Sequence, residues 1–205
     1  MNAETSGSGL LLVLSGPSGV GKGTVLEALK ALCPERIGRE IAISVSKTTR
    51  TPRPGEEEGV HYYFTDRTHF LEGVEQNAFL EYAEYAGNLY GTPRDMIERK
   101  TAEGMIVVLD IDTQGAFQVR QKMPEALLVF LLPPSMEELE HRLRGRGTEP
   151  EDVIQRRLML AKTECDLAPE YDATVYNRTV QETAQEICKL IEQRLCAKAR
   201  NSIGI

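Results

Sequence analysis

The sequence predicts an α/β fold with a mostly parallel central sheet and helices on both faces. Two observations carry this. Short apolar runs alternate along the chain with stretches of helical periodicity, the order expected when each strand is followed by a crossover helix. The runs are continuously apolar rather than alternating, as in strands covered on both faces. Composition agrees: 205 residues, 41% apolar and 27% charged, suit one core with small insertions.

In chain order, residues 10–15 (LLLVLS) read as the first buried strand. A helix follows over 22–32, with Val25, Leu26 and Leu29 as its apolar stripe. Residues 41–45, 105–109 and 126–132 read as further strands, and 174–176 as a short last one. Helical patterns occupy 67–76, 93–103, 113–122, 135–143, 150–165 and 180–195. Ser135 with Glu138, and Thr179 with Glu182, have the spacing of capping boxes, in which a hydroxyl and a carboxylate satisfy free N–H groups. The organisation expected is a flexible tail over 1–8, one domain over 9–196 and a frayed end over 197–205. There is no internal repeat.

Several function classes are disfavoured. The net charge of −7 argues against a nucleic-acid binder, although arginines cluster locally. No apolar run is long enough to span a bilayer, and the first residues lack the basic and apolar regions of a signal peptide, so a cytoplasmic location is expected, without membrane association. Cys33, Cys165, Cys188 and Cys196 form no C-x-x-C pair. A zinc site or disulfide framework is not expected, and the thiols read as buried or idle. His61, His69 and His141 are scattered and receive no catalytic role. Both a monomer and a homo-oligomer are compatible with the sequence.

The strongest local signal is Gly16-Pro17-Ser18-Gly19-Val20-Gly21-Lys22-Gly23-Thr24, between the first strand and the first helix. Glycines let the backbone wrap phosphate oxygens, successive N–H groups and the helix N-terminus face the anion, and Lys22 adds a compact positive charge. Such a loop points to ATP or GTP. Gly23 stands where many such loops carry a Mg²⁺-ligating Ser or Thr. No residue is therefore assigned as a protein metal ligand, and Mg²⁺ is expected to be held mainly by phosphates and water.

The stretch 46–92 addresses the acceptor. Arg50 and Arg53 lie among prolines that stiffen the chain, and guanidinium forks suit phosphate. Tyrosine hydroxyls add donors, and a carboxylate such as Glu81 matches the N1–H and N2–H donors of guanine. Asp110 and Asp112 follow a buried strand, where ligands of open α/β sheets bind. They suit a metal-bound water, a base edge or an arginine.

Over about residues 10–195 the chain resembles the guanylate kinase family, through GPSGVGKGT, SKTTRTPRPGE, HYYF, FLEYAEYAGNLYGT, LDIDTQGA and RLRGRGTE. The resemblance implies a P-loop kinase fold with an inserted acceptor-nucleotide subdomain over 46–92 and a mobile lid over about 135–157. It implies transfer of the γ-phosphoryl group of ATP to GMP, with Mg²⁺. Arg50, Arg53, Tyr62 and Tyr90 would hold the GMP phosphate, and Ser46, Glu81, Thr92 and Asp112 would line the guanine site. Asp110 would orient the metal shell or the phosphate loop. Arg142, Arg146 and Arg157 would be the lid arginines, acting with Lys22. Asn177 would lie near the adenine of ATP, although Arg178 and Thr179 follow it where acidic residues are expected. Arg144 and Arg156 read as solvated or paired in salt bridges. Two other readings stand beside this one: a related kinase with another acceptor, such as AMP or a phosphorylated ribose, and a non-enzymatic protein-binding module. Glu81 and Asp112 argue against the first, and the intact loop with Lys22 against the second.

Overall fold

The structure, a computed structural model, describes residues 9–85, 87–145 and 150–203. Its main sheet is built from β1 (Leu10–Ser15), β2 (Ile41–Ile43), β7 (Ile106–Asp110), β8 (Leu127–Leu132) and β9 (Ala173–Tyr176). The order is β2-β7-β1-β8-β9, and every pairing is parallel. Period-2 alternation sorts the central strand between two cores. Leu10, Leu12 and Leu14 pack with Leu26 and Leu29 of α1 (Lys22–Ile37) and with Ile187 and Ile191 of α7 (Val180–Ile203). Leu11 and Val13 face the other way, towards Ile97 of α3 (Arg94–Ala102) and Val119 of α4 (Thr113–Lys122). This is the helix-on-both-faces arrangement the apolar runs require.

A second sheet, with order β4-β3-β6-β5, was not foreseen from the sequence. It comprises β3 (Lys47–Thr48), β4 (Tyr63–Phe64), β5 (Phe79–Tyr85) and β6 (Asn88–Pro93). Its core is Phe70, Phe79 and Leu89, with Phe70 on α2 (Arg67–Glu75) stacked on Phe79 at a centroid distance of 4.4 Å. Gln118 of α4 joins the two sheets: its amide donates to Tyr82 O at 3.0 Å and accepts from Tyr82 N at 3.2 Å. α5 (Met136–Gly145) and α6 (Glu151–Cys165) share a separate small core of Leu139, Leu143, Ile154 and Ala161.

Most element ends fall within two residues of the expectations, while those of α1 and α7 lie further on. α1 continues past 32 because Pro34 loses only its own amide bond, while its carbonyl accepts the Gly38 N–H at 3.1 Å. β2 stops at Ile43, short of 45. α7 runs on to Ile203, through residues expected to fray. Cys196-Ala197-Lys198-Ala199-Arg200 has no glycine or proline, and Lys198 Nζ donates to Gly9 O at 3.2 Å. Both capping hydroxyls accept the expected N–H groups, Ser135 Oγ from Glu138 at 3.2 Å and Thr179 Oγ1 from Glu182 at 3.3 Å.

Candidate active site

A cavity of about 360 Å³ opens between the two sheets and is lined by Ser46, Arg50, Arg53, Tyr62, Glu81, Tyr90, Asp110 and Asp112, together with Glu56, Ala83, Tyr85 and Ile111. Every acceptor residue expected from the sequence lines it except Thr92, which stands behind Glu81. The second sheet carries the arginine and tyrosine wall, and the carboxyl end of β7 carries the aspartates.

At the basic end, Arg50 Cζ lies 5.4 Å from the centre of the Tyr62 ring, and Tyr62 meets Tyr90 edge-on at 6.0 Å. Arg50 Nη2 donates to both oxygens of Glu56 at 2.8 and 3.0 Å, and Nη1 to Thr51 O at 2.8 Å. Glu56 also accepts the Arg53 N–H at 2.8 Å, so one carboxylate closes the arginine loop on itself. The Arg50 guanidinium and the Arg53 amide pull the Glu56 carboxyl down to about 2. Arg50 Nε is buried without a hydrogen-bond partner, a cationic donor left over at this end of the cavity. Burial raises the Tyr62 hydroxyl.

At the acidic end, Glu81 is 6% exposed and its Oε1 accepts from Thr92 Oγ1 at 2.5 Å. Burial raises its carboxyl, opposed by the Thr92 bond and aided by the nearby Asp112 charge. Asp112 caps α4, accepting the Gly115 N–H at 2.8 Å. A Cβ on Gly115 would come within 2.9 Å of Glu81 Oε2, so the close approach of helix and carboxylate needs glycine.

The phosphate loop borders the carboxyl end of β7. Gly21, with φ 100°, caps α1, and a Cβ there would sit 2.6 Å from Asn177 Nδ2. A Cβ on Gly16 would meet Leu131 O at 2.4 Å. Lys22 folds back over the loop: Nζ donates to Gly16 O at 2.7 Å and lies 3.9 Å from Asp110 Oδ1. Burial raises the Asp110 carboxyl, and Lys22 opposes it. Ser15 Oγ donates to Ile111 O at 2.9 Å, tying the ends of β1 and β7.

A second cleft, of about 290 Å³, lies on the other side of the loop and is lined by Gly19, Gly21, Thr24, Arg142, Asn177, Arg178 and Val180. Asn177 is buried beneath the loop. Its Nδ2 donates to Val20 O at 2.7 Å, and its Oδ1 accepts from Thr183 Oγ1 at 3.1 Å. Arg142 adds a second hold, donating to Val20 O at 3.2 Å and to Asn177 O at 3.4 Å, while its Nε bonds Glu138 at 2.9 Å. Arg178 rests on the Tyr176 ring at 5.8 Å. Arg157 is half-buried on α6 and lines neither cavity. Arg146 lies outside the described residues. Arg144 pairs with Glu140 and with Glu151, and Arg156 with Asp152, as surface salt bridges.

Two acidic residues were missed in the sequence. Glu56 lies in a quoted motif, but only the folded turn reveals that it serves both arginines. Glu164 on α6 is raised by burial, with Lys22 and Asp112 acting on it from across the site. Its helical surroundings carry no sequence signal that would have found it.

The arrangement can bind a short anionic ligand with a donor-bearing base: phosphate donors at one end, the buried Glu81 carboxylate with the more exposed Asp112 at the other, and a phosphate loop beside both. Comparison with known proteins agrees. The sequence model described as guanylate kinase matches residues 8–194. The chain is 53% identical over 181 residues to a guanylate kinase of Thermobifida fusca, covering 88% of this chain and 90% of that one. It is 51% identical over 180 residues to one of Streptomyces coelicolor, covering 88% and 89%. The crystal structure of guanylate kinase from Anaplasma phagocytophilum superposes with a TM-score of 0.68 at 36% identity, over 92% of this chain and 87% of that chain. With a matching sequence along nearly its whole length and the cavity chemistry to go with it, the chain belongs to the guanylate kinase family.

Proposed function

We propose that this chain transfers the γ-phosphoryl group of ATP to GMP, giving ADP and GDP, on cytoplasmic nucleotides. The observation that carries the reading is the polarity of the acceptor cavity, with arginine and tyrosine donors at one end and buried Glu81 at the other. Guanine presents N1–H and N2–H donors to a carboxylate, whereas adenine presents an N1 lone pair that a carboxylate repels. Ser46, Thr92 and Asp112 complete the base end.

In this mechanism Lys22 exchanges the Gly16 carbonyl for the donor phosphates, and the N–H groups of residues 16–24 and the α1 N-terminus cradle them. Asn177 holds the Val20 carbonyl inward, which leaves the loop amides directed at the anion and frees Arg142 to exchange that carbonyl for phosphate. Arg50, Arg53, Tyr62 and Tyr90 hold the acceptor phosphate, whose oxygen is the nucleophile. It needs no general base, because the second pKa of a phosphate monoester is about 6. The lid over about 135–157, with Arg142, Arg146 and Arg157, closes to exclude water and to place cations on the transferring group.

The donor set fits Mg²⁺ held chiefly by phosphates and water. Gly23 offers no ligating side chain, and the Asp110 carboxylate at the end of β7, 3.9 Å from Lys22 Nζ, is placed to orient bound water. When bound, the ion neutralises charge on the donor phosphates.

The test is ADP release with ATP and Mg²⁺ over GMP, AMP, CMP and UMP, with Lys22→Ala as control. Turnover confined to GMP and reduced at least about 100-fold in the variant is expected, since Lys22 serves the transferring phosphates. Equal turnover of AMP would overturn the guanine assignment, and none with any acceptor would overturn the kinase.

A further inference from the structure

We propose that Cys33 and Cys188 form a site of oxidative modification, a dithiol that a peroxide converts into an intramolecular disulfide joining α1 to α7. These thiols read as buried or idle in the sequence, and they are 155 positions apart. The fold brings their sulfurs to 3.0 Å across the seam between the two helices, with both side chains fully buried. Cys165 and Cys196, the other free thiols, have no such partner among the described residues.

The seam holds the pair opposed. About one turn further along each helix, Arg36 grips Glu192 with two bonds, Nε to Oε1 at 2.6 Å and Nη2 to Oε2 at 3.1 Å, which fixes the helices against sliding. A disulfide needs a sulfur separation of about 2.05 Å, so the two sulfurs must close by about 1 Å, through rotation of the side chains or a small shift of the seam. The two thiols share one hydrogen bond, and this bond together with the nearby Arg36 charge lowers the Cys188 thiol, while Cys33 is raised. Cys188 is therefore the first to ionise and the attacking sulfur.

The chemistry balances with hydrogen peroxide as oxidant. The Cys188 thiolate attacks one peroxide oxygen, breaking the O–O bond and releasing hydroxide to give a sulfenic acid. Cys33 then attacks that sulfur, forming the S–S bond and releasing water. Because both sulfurs are buried, peroxide reaches them only through local opening of the seam. The reaction is slow in the folded protein and is accelerated by mild denaturant.

The experiment uses the full chain, treated with hydrogen peroxide, alkylated after denaturation and mapped by peptide mass spectrometry. The expected product is a Cys33–Cys188 linked peptide, lighter by two hydrogens than its parts, with Cys165 and Cys196 alkylated. Its thermal midpoint should rise by roughly 5–15 °C, because the bond closes a long loop in the unfolded chain, and dithiothreitol should reverse the rise. Cys188→Ala should abolish both effects and Cys196→Ala neither. Recovery of Cys33 and Cys188 as alkylated thiols or sulfinic acids, with no linked peptide, would overturn the proposal. The peptide map of the unsubstituted chain decides this even if Cys188→Ala fails to fold.

Discussion

At the scale of single residues, the acceptor cavity depends on two glutamates placed in opposite electrostatic settings. Glu56 sits against two arginines and is held down to about 2, so its pair with Arg50 is lost only as pH falls towards that value. Glu81 is buried and raised, so it takes up a proton above the ordinary carboxylate range. Only the ionised form accepts both guanine donors. The KM for GMP should therefore rise as pH falls through the raised Glu81 value, and Glu56 cannot be the source of that bend. Glu81→Gln should remove the bend and raise the KM for GMP roughly 10- to 100-fold at neutral pH, since its NH₂ faces a donor and leaves a buried hydrogen bond unmade, a loss of about 1–3 kcal/mol. Steady-state profiles of KM against pH for both proteins check this. For folding the sign is reversed. The native state binds this proton more tightly than the unfolded chain, so protonation through the same window favours the fold, and that contribution is lost as pH rises.

At the scale of elements, the phosphate loop is a strand-to-helix turn whose shape is enforced from beneath. Asn177, at the end of β9, ties Val20 to Thr183 of α7. Asn177→Ala leaves that carbonyl without its closest donor and costs about 1–3 kcal/mol. A fall in thermal midpoint of roughly 2–12 °C is expected for a chain this size. The KM for ATP should rise more than the KM for GMP, because the distortion lies on the loop and not in the acceptor cavity. Equal effects on both would place Asn177 in a general stabilising role. The sequence revealed the loop itself, because glycine spacing between a buried strand and a helix is a local signal. It did not reveal what Asn177 does to the loop, since their contact spans 157 positions. The second sheet escaped for a different reason. β3 and β4 are two residues each, too short to show any period, and β5 mixes buried Phe79, Leu80 and Glu81 with exposed Tyr82 and Tyr85. Buried Glu81 breaks the apolar pattern that would mark a strand, as expected of a position chosen for a site rather than for a core.

At the scale of the whole molecule, the two cavities share no lining residue, although the reacting phosphates must approach to about 3–3.5 Å. Something must move, and the distribution of apolar packing indicates which parts. The parallel sheet carries the two large cores, one on each face. The second sheet has its own small core around Phe70, and α5 with α6 has another around Leu139. Segments with cores of their own can shift as bodies, and the second sheet pivots where it is joined to the parallel sheet, through Leu80 of β5 in the core on that face and through Gln118 with Tyr82. Closure of 46–92 and of about 135–157 onto the parallel sheet is therefore expected once both nucleotides are bound. One nucleotide alone gives less, because each contacts one moving segment. Small-angle scattering tests this against an unliganded radius of gyration of roughly 17 Å. A decrease with GMP and a non-hydrolysable ATP analogue together, larger than with either alone, is the expected result. An unchanged profile would mean that the phosphates meet by local rearrangement of side chains such as Lys22 and Arg50, within a frame that is already closed.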